Sequence, residues 1–153
     1  MSKLLNWIAK NYLILIFLIS GAATFGSLYF SEVQALVPCI YCWYARIFMY
    51  PIFIISTVSL SFTQAVSKKI LLALVIPGTI IGAYHFYIQT FPDPNRFVPC
   101  VGGVDCSKID WTLQQVVNLD LFKYVTIPFL SLMAFVMIGL LIAFSFWWNK
   151  RSV

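Results

Sequence analysis

Hydrophobic residues in this chain fall in long uncharged blocks, not in alternating stripes. Four blocks, 11–31, 47–67, 70–92 and 124–149, are long enough to cross a bilayer as helices, which takes about 20 residues. Backbone groups in lipid are satisfied only within helices or closed barrels, and none of the blocks has the period-two pattern of a barrel strand. The pattern predicts an all-α protein, a four-helix transmembrane bundle making one integral membrane domain over 1–153. Lys3 and Lys10 before the first block, with Gly21-Ala22-Ala23 inside it, raise the alternative of a cleaved signal peptide. The block runs on through Phe25, Leu28, Tyr29 and Phe30, too far for the short apolar core of such a leader, and is read as a span. Pro51 and Pro77 fall within spans, where each leaves a carbonyl without its donor, whereas Pro128 falls in the first turns of the fourth. Gly21, Gly26, Gly82 and Ala83 are read as points of close helix packing.

Composition sharpens the class. The 153 residues are 61% hydrophobic, 18% aromatic and 10% charged, against about 25% charged in ordinary soluble domains. Their mean hydropathy is +0.91. A soluble globule and a disordered chain are both excluded. The net charge of +5 comes from scattered cations, with no basic stripe to follow a phosphate backbone, so nucleic acid is excluded as a partner. Placement of charge also predicts orientation. The termini and the turn at 67–69 carry Lys3, Lys10, Lys68, Lys69, Lys150 and Arg151 and no acid, while all five acids lie in the connections 32–46 and 92–123. The positive-inside rule puts the termini in the cytoplasm and these two connections outside.

All four cysteines fall in the two outward connections. Cys39 and Cys42 form Val37-Pro38-Cys39-Ile40-Tyr41-Cys42, and Cys100 and Cys106 follow a second Val-Pro pair with Gly102-Gly103 between them. On an oxidising face an even cysteine count points first to disulfides. Three connectivities are open, of which the two local pairs are the most economical. A Cys-x-x-Cys bridge closes too short a loop to constrain the unfolded chain much. Set just before a helix, with Arg46 four residues after Cys42, the pair instead has the surroundings of a redox dithiol. A four-thiolate zinc site is disfavoured, because the second pair is separated by five residues and the compartment opposes free thiolates. No metal is expected.

Arg46 sits at a span edge, either as a snorkelling anchor or as a ligand contact. His85, the only histidine, lies near the outward end of the third block, where it could bond a carbonyl or serve a bound quinone. The chain has no phosphate-binding glycine loop, no HExxH and no dinucleotide fingerprint. Electrons leaving the cysteines therefore need an acceptor reachable from the membrane, and a lipid-soluble quinone is the economical one.

Taken together, these residues resemble the DsbB disulfide-bond formation proteins. The runs Gly26-Ser27-Leu28-Tyr29-Phe30-Ser31-Glu32 and Pro38-Cys39-Ile40-Tyr41-Cys42-Trp43-Tyr44-Ala45-Arg46 are especially similar to the shorter BdbC branch, as are Pro99-Cys100 to Cys106 and Thr126-Ile127-Pro128. The resemblance implies a bacterial plasma-membrane oxidoreductase that reoxidises a DsbA-like thioredoxin-fold partner and reduces menaquinone or ubiquinone. It implies redox disulfides Cys39–Cys42 and Cys100–Cys106, with the partner attacking Cys100, Cys106 attacking Cys39, and Cys42 facing the quinone beside Arg46. The alternatives are a small membrane scaffold or transporter subunit with structural disulfides, and a vitamin-K-epoxide-reductase-like enzyme.

Overall fold

The computed structural model describes residues 2–62, 67–91, 106–107, 111–112 and 125–151. A short helix α1 (Ser2–Lys10) leads into α2 (Tyr12–Leu28), which winds on as a π-helical turn over Tyr29–Val33. Then follow α3 (Ile40–Ser61), α4 (Lys68–Thr90) and α5 (Ile127–Arg151). The protein is a four-helix bundle with spans Tyr12–Val33, Ile40–Ser61, Lys68–Thr90 and Ile127–Trp148. Each long helix packs on its chain neighbour and α2 closes the ring against α5, with α3 and α5 barely touching across the middle. No strand occurs among the described residues, and one isolated bridge pairs Thr112 with Thr126 at the foot of α5.

Two boundaries differ from the sequence pattern. The second span starts at Ile40, where the uncharged block starts at Ile47, because Arg46 folds its charge into the bundle and leaves the helix intact. The polar-flanked segment before Tyr12 is a separate helix, with Ala9 buried and Trp7 exposed, packed on α5.

The core contains Ile16, Met49, Ile52, Leu71, Phe135, Ile138 and Ile142. Leu18, Phe25, Ile54, Ile80 and Leu140 point outward, forming the apolar surface a lipid-facing bundle requires. Hydroxyls within the spans bond back to their own helices at several points, the buried Ser20 donating to the Ile16 carbonyl at 2.7 Å and the half-buried Thr79 to that of Val75 at 2.8 Å. At the end remote from the cysteines, Lys68 Nζ donates to Ser145 Oγ at 2.7 Å and lies 5.0 Å from the ring centroids of Tyr12 and Phe146.

The glycines divide by what surrounds them. A Cβ at Gly78 would run into the ring of the fully buried Phe135, and one at Gly82 would lie 3.4 Å from Leu132 Cα, so α4 and α5 meet through these positions. At Gly26 a Cβ meets nothing within 4 Å, so this glycine borders open space and makes no close helix contact. Gly78→Ala is expected to cost about 1–3 kcal/mol through overpacking, read as a lower midpoint in denaturation from detergent. Gly26→Ala should leave that midpoint unchanged or raise it.

Candidate functional site

The link from α2 to α3 is locally unusual. After the π-helical turn, Ala35 adopts φ 53, a left-handed conformation rare for a residue with a Cβ. The chain then extends through Pro38 to Cys39, the N-cap of α3 at φ −69, ψ 171. The Cys39 side chain does not cap the helix. Its sulfur is turned to Cys42, whose Sγ lies 3.1 Å away, and to His85 Nε2 of α4 at 3.5 Å. A disulfide bond measures about 2.05 Å, so the two sulfurs are in contact as thiols.

Cys39 and His85 are buried, and the Tyr41 ring lies 5.4 Å from the imidazole. The Cys39 thiol is pushed up to about 12, first by its hydrogen bond to Cys42 and then by burial, with His85 acting in the opposite direction. Cys106 is buried in the same cluster with Cys39 and Ile88. Cys100 lies outside the described residues. The three placed cysteines thus come together at one end of the bundle, with His85 among them.

Arg46 is anchored as well as charged. Its Nε donates to Ser27 Oγ at 2.8 Å and its Nη2 to the Ser27 carbonyl at 3.0 Å, with the guanidinium 5.2 Å from the Trp43 ring. These bonds tie α3 to α2 and leave further N–H groups of the fork for a ligand. Sequence reasoning missed Ser27 as the anchor, because nothing in a serine within an apolar run marks its partner. It also missed Phe30 packing on Trp111 at 4.8 Å, which brings Trp111 to the site.

Two cavities meet at this point. An inner one of ≈ 140 Å³ reaches all four long helices, with Gly26, Cys42, Arg46, Tyr50, Gly82 and Pro128 in its wall. An outer one of ≈ 70 Å³ is lined by Cys39, Cys42, His85, Cys106 and Trp111. Cys42, Arg46 and His85 border both, whereas Cys39 and Cys106 border only the outer one.

Cys39, Cys42 and His85 offer three ligand atoms within 4.8 Å of one another. Two thiolates on a tetrahedral zinc stand ~3.8 Å apart, given Zn–S bonds of about 2.3 Å. The sulfurs here are closer, at 3.1 Å, and an oxidised pair has no thiolate to give. The geometry suits a dithiol better than a metal.

The family model described as "Disulfide bond formation protein DsbB" matches residues 9–145. The chain is 37% identical over 132 residues to disulfide bond formation protein C of Bacillus subtilis, covering 84% of this chain and 90% of that protein. It is 33% identical over 138 residues to probable disulfide formation protein C 2 of Bacillus cereus, covering 90% and 93% respectively. The SPbeta prophage-derived disulfide bond formation protein B of Bacillus subtilis is 33% identical over 130 residues, covering 84% and 81%. No solved structure matches the chain. This four-helix membrane protein, with its cysteine pair at the start of the second span, belongs to the DsbB family of disulfide bond formation proteins.

Proposed function

We propose that the chain acts as a single membrane unit that passes electrons from a DsbA-like thioredoxin-fold partner to a membrane quinone. The observation that carries this is the division of the Cys39–Cys42 pair between two spaces. Cys39 borders the outer cavity with Cys106, and Cys42 also borders the inner one. A dithiol so placed can receive electrons from one side and release them to the other.

The inner cavity fits a quinone head. Its ≈ 140 Å³ is close to the ~150 Å³ of an apolar cavity that takes up benzene, so one six-membered ring fills it. Its wall is mainly apolar, with the Arg46 fork as a donor to a carbonyl oxygen.

The partner's thiolate attacks Cys100, breaking Cys100–Cys106 and releasing Cys106 as thiolate. The partner's second thiol closes its own disulfide and frees Cys100. Cys106 then attacks Cys39, breaking Cys39–Cys42 and releasing Cys42 toward the inner cavity. Cys100 displaces Cys39, which restores Cys100–Cys106 and leaves Cys39 and Cys42 reduced. Re-forming Cys39–Cys42 from that reduced pair releases two electrons and two protons, and a bound quinone supplies the sink for both. Cys39 holds its proton firmly, and His85 stands where it can accept it when the bond re-forms. By the positive-inside rule the cysteine end faces out of the plasma membrane, where an exported partner can reach it.

The test is anaerobic reconstitution of the purified protein with a reduced thioredoxin-fold partner and a short-chain quinone. One quinone should be reduced per partner disulfide formed. Cys42→Ser should abolish quinone reduction. Partner oxidation that continues past two equivalents without quinone, one for each disulfide of the chain, or quinone reduction that survives Cys42→Ser, would overturn the proposal.

A further inference from the structure

The inner cavity has a buried polar atom in its wall that no part of the mechanism above uses. The Tyr50 hydroxyl has no hydrogen-bond partner among the described residues, although it is shut off from the surface. Buried tyrosine hydroxyls almost always find a partner, and an unmade bond of this kind is destabilising. Thr24 Oγ1 is similarly unpartnered, but Thr24 is not among the residues lining the cavity. Among the described residues, only at Tyr50 do the unpaired hydroxyl and the inner cavity coincide.

Its position in α3 supplies the second observation. Cys42, Arg46 and Tyr50 stand four residues apart in one helix, so they share a face that opens on the same space. Four residues advance about 6 Å along the axis, comparable to the spread of two para oxygens across a six-membered ring. A quinone has two carbonyl acceptors and no donor. Arg46, with two of its N–H groups committed to Ser27, retains others for the carbonyl near Cys42. The far carbonyl needs a donor deeper in the bundle.

We propose that the Tyr50 hydroxyl donates a hydrogen bond to the quinone carbonyl remote from Cys42 and so fixes the ring's orientation in the inner cavity. This rests on the assignment of that cavity to quinone. Tyr50 is a positioning residue: it holds the ring with one carbonyl toward Arg46 and the reacting edge toward Cys42, and no proton or electron passes through it.

The experiment is difference infrared spectroscopy of a short-chain benzoquinone labelled with ¹³C at both carbonyls, bound to the full-length protein and to Tyr50→Phe. In the unaltered protein both carbonyl bands should lie below their position in detergent. In Tyr50→Phe one band should return to that position while the other stays shifted, and the quinone Kd should rise roughly three- to tenfold, the loss of one neutral hydrogen bond. Without quinone, Tyr50→Phe should melt at the same temperature as the unaltered protein or higher, since an unpaired hydroxyl has been removed. With quinone it should gain less than the unaltered protein does. Two shifted bands and an unchanged Kd in Tyr50→Phe would overturn the role of Tyr50 alone. A quinone-free Tyr50→Phe that melts lower would also overturn it, by showing that the hydroxyl is satisfied within the protein. Unshifted bands and no saturable binding in the unaltered protein would overturn the cavity assignment itself.

Discussion

A Gly26→Leu variant is expected to raise the quinone KM on the order of 10- to 100-fold while leaving folding and membrane insertion intact. The wall of the inner cavity at this point is bare backbone, and a side chain grown from it meets nothing within 4 Å at its first atom. The rest of a leucine then occupies space that a six-membered ring needs. Excluding a ring from apolar surroundings forfeits about 1.5–3 kcal/mol, which is the quoted range in affinity. Leucine also favours the helix over glycine by close to 1 kcal/mol, so the variant should be at least as resistant to denaturation. Steady-state kinetics over a quinone series, together with a melting curve, check both halves. An unchanged KM would place the quinone elsewhere.

The contrast with Gly82 shows where sequence reading stopped. Both glycines sit in apolar runs and both carry the same expectation of close packing. Only the structure shows that Gly82 lies against the backbone of Leu132 while Gly26 faces open space, because the difference depends on a residue from another helix. The four spans were legible, since lipid solvation imposes a length and a composition that stand out in one dimension. The start of the second span was not, because Arg46 breaks the uncharged pattern while its charge is spent on Ser27, 19 positions away. Cys39, Cys42, Arg46 and His85 were legible as chemistry and are brought together. The contact of His85 with Cys39 across 46 positions, and the cavity behind Cys42, were not. Tyr50 gave no signal at all, for a tyrosine in an apolar helix becomes notable only when its hydroxyl is seen to lack a partner.

A covalent complex with the partner is the second large effect expected. Normally the mixed disulfide at Cys100 is short-lived, because Cys106 or the partner's second thiol resolves it. Cys106→Ala in this chain, combined with a partner lacking its second cysteine, closes both routes; because Cys100 is then a free thiol, the partner's remaining cysteine is supplied as its mixed disulfide with thionitrobenzoate, which the Cys100 thiolate displaces. The complex should then rise from barely detectable to most of the protein on a non-reducing gel and vanish on strong reduction. It should depend on Cys100 and survive the further changes Cys39→Ala and Cys42→Ala, while quinone-coupled turnover of the otherwise intact system is lost with either cysteine. A complex that instead requires Cys39 or Cys42 would mean that the partner meets the helix pair directly and that the second pair lies off the electron route.

One-way electron flow through the Cys39–Cys42 pair requires its two sulfurs to face different partners, Cys106 on one side and the inner cavity on the other. Pairwise disulfide trapping in membranes tests this most directly. Cys42→Ser with Cys100→Ser leaves Cys39 and Cys106, the two placed cysteines that border the outer cavity and not the inner one, and mild oxidation should link most of the protein within the chain. Cys39→Ser with Cys100→Ser leaves Cys42 and Cys106, and this variant should stay largely reduced under the same oxidant. Peptide mapping distinguishes the linked forms. Efficient linking of Cys42 to Cys106, with little or none through Cys39, would contradict the proposed direction of the pair and the electron route built on it.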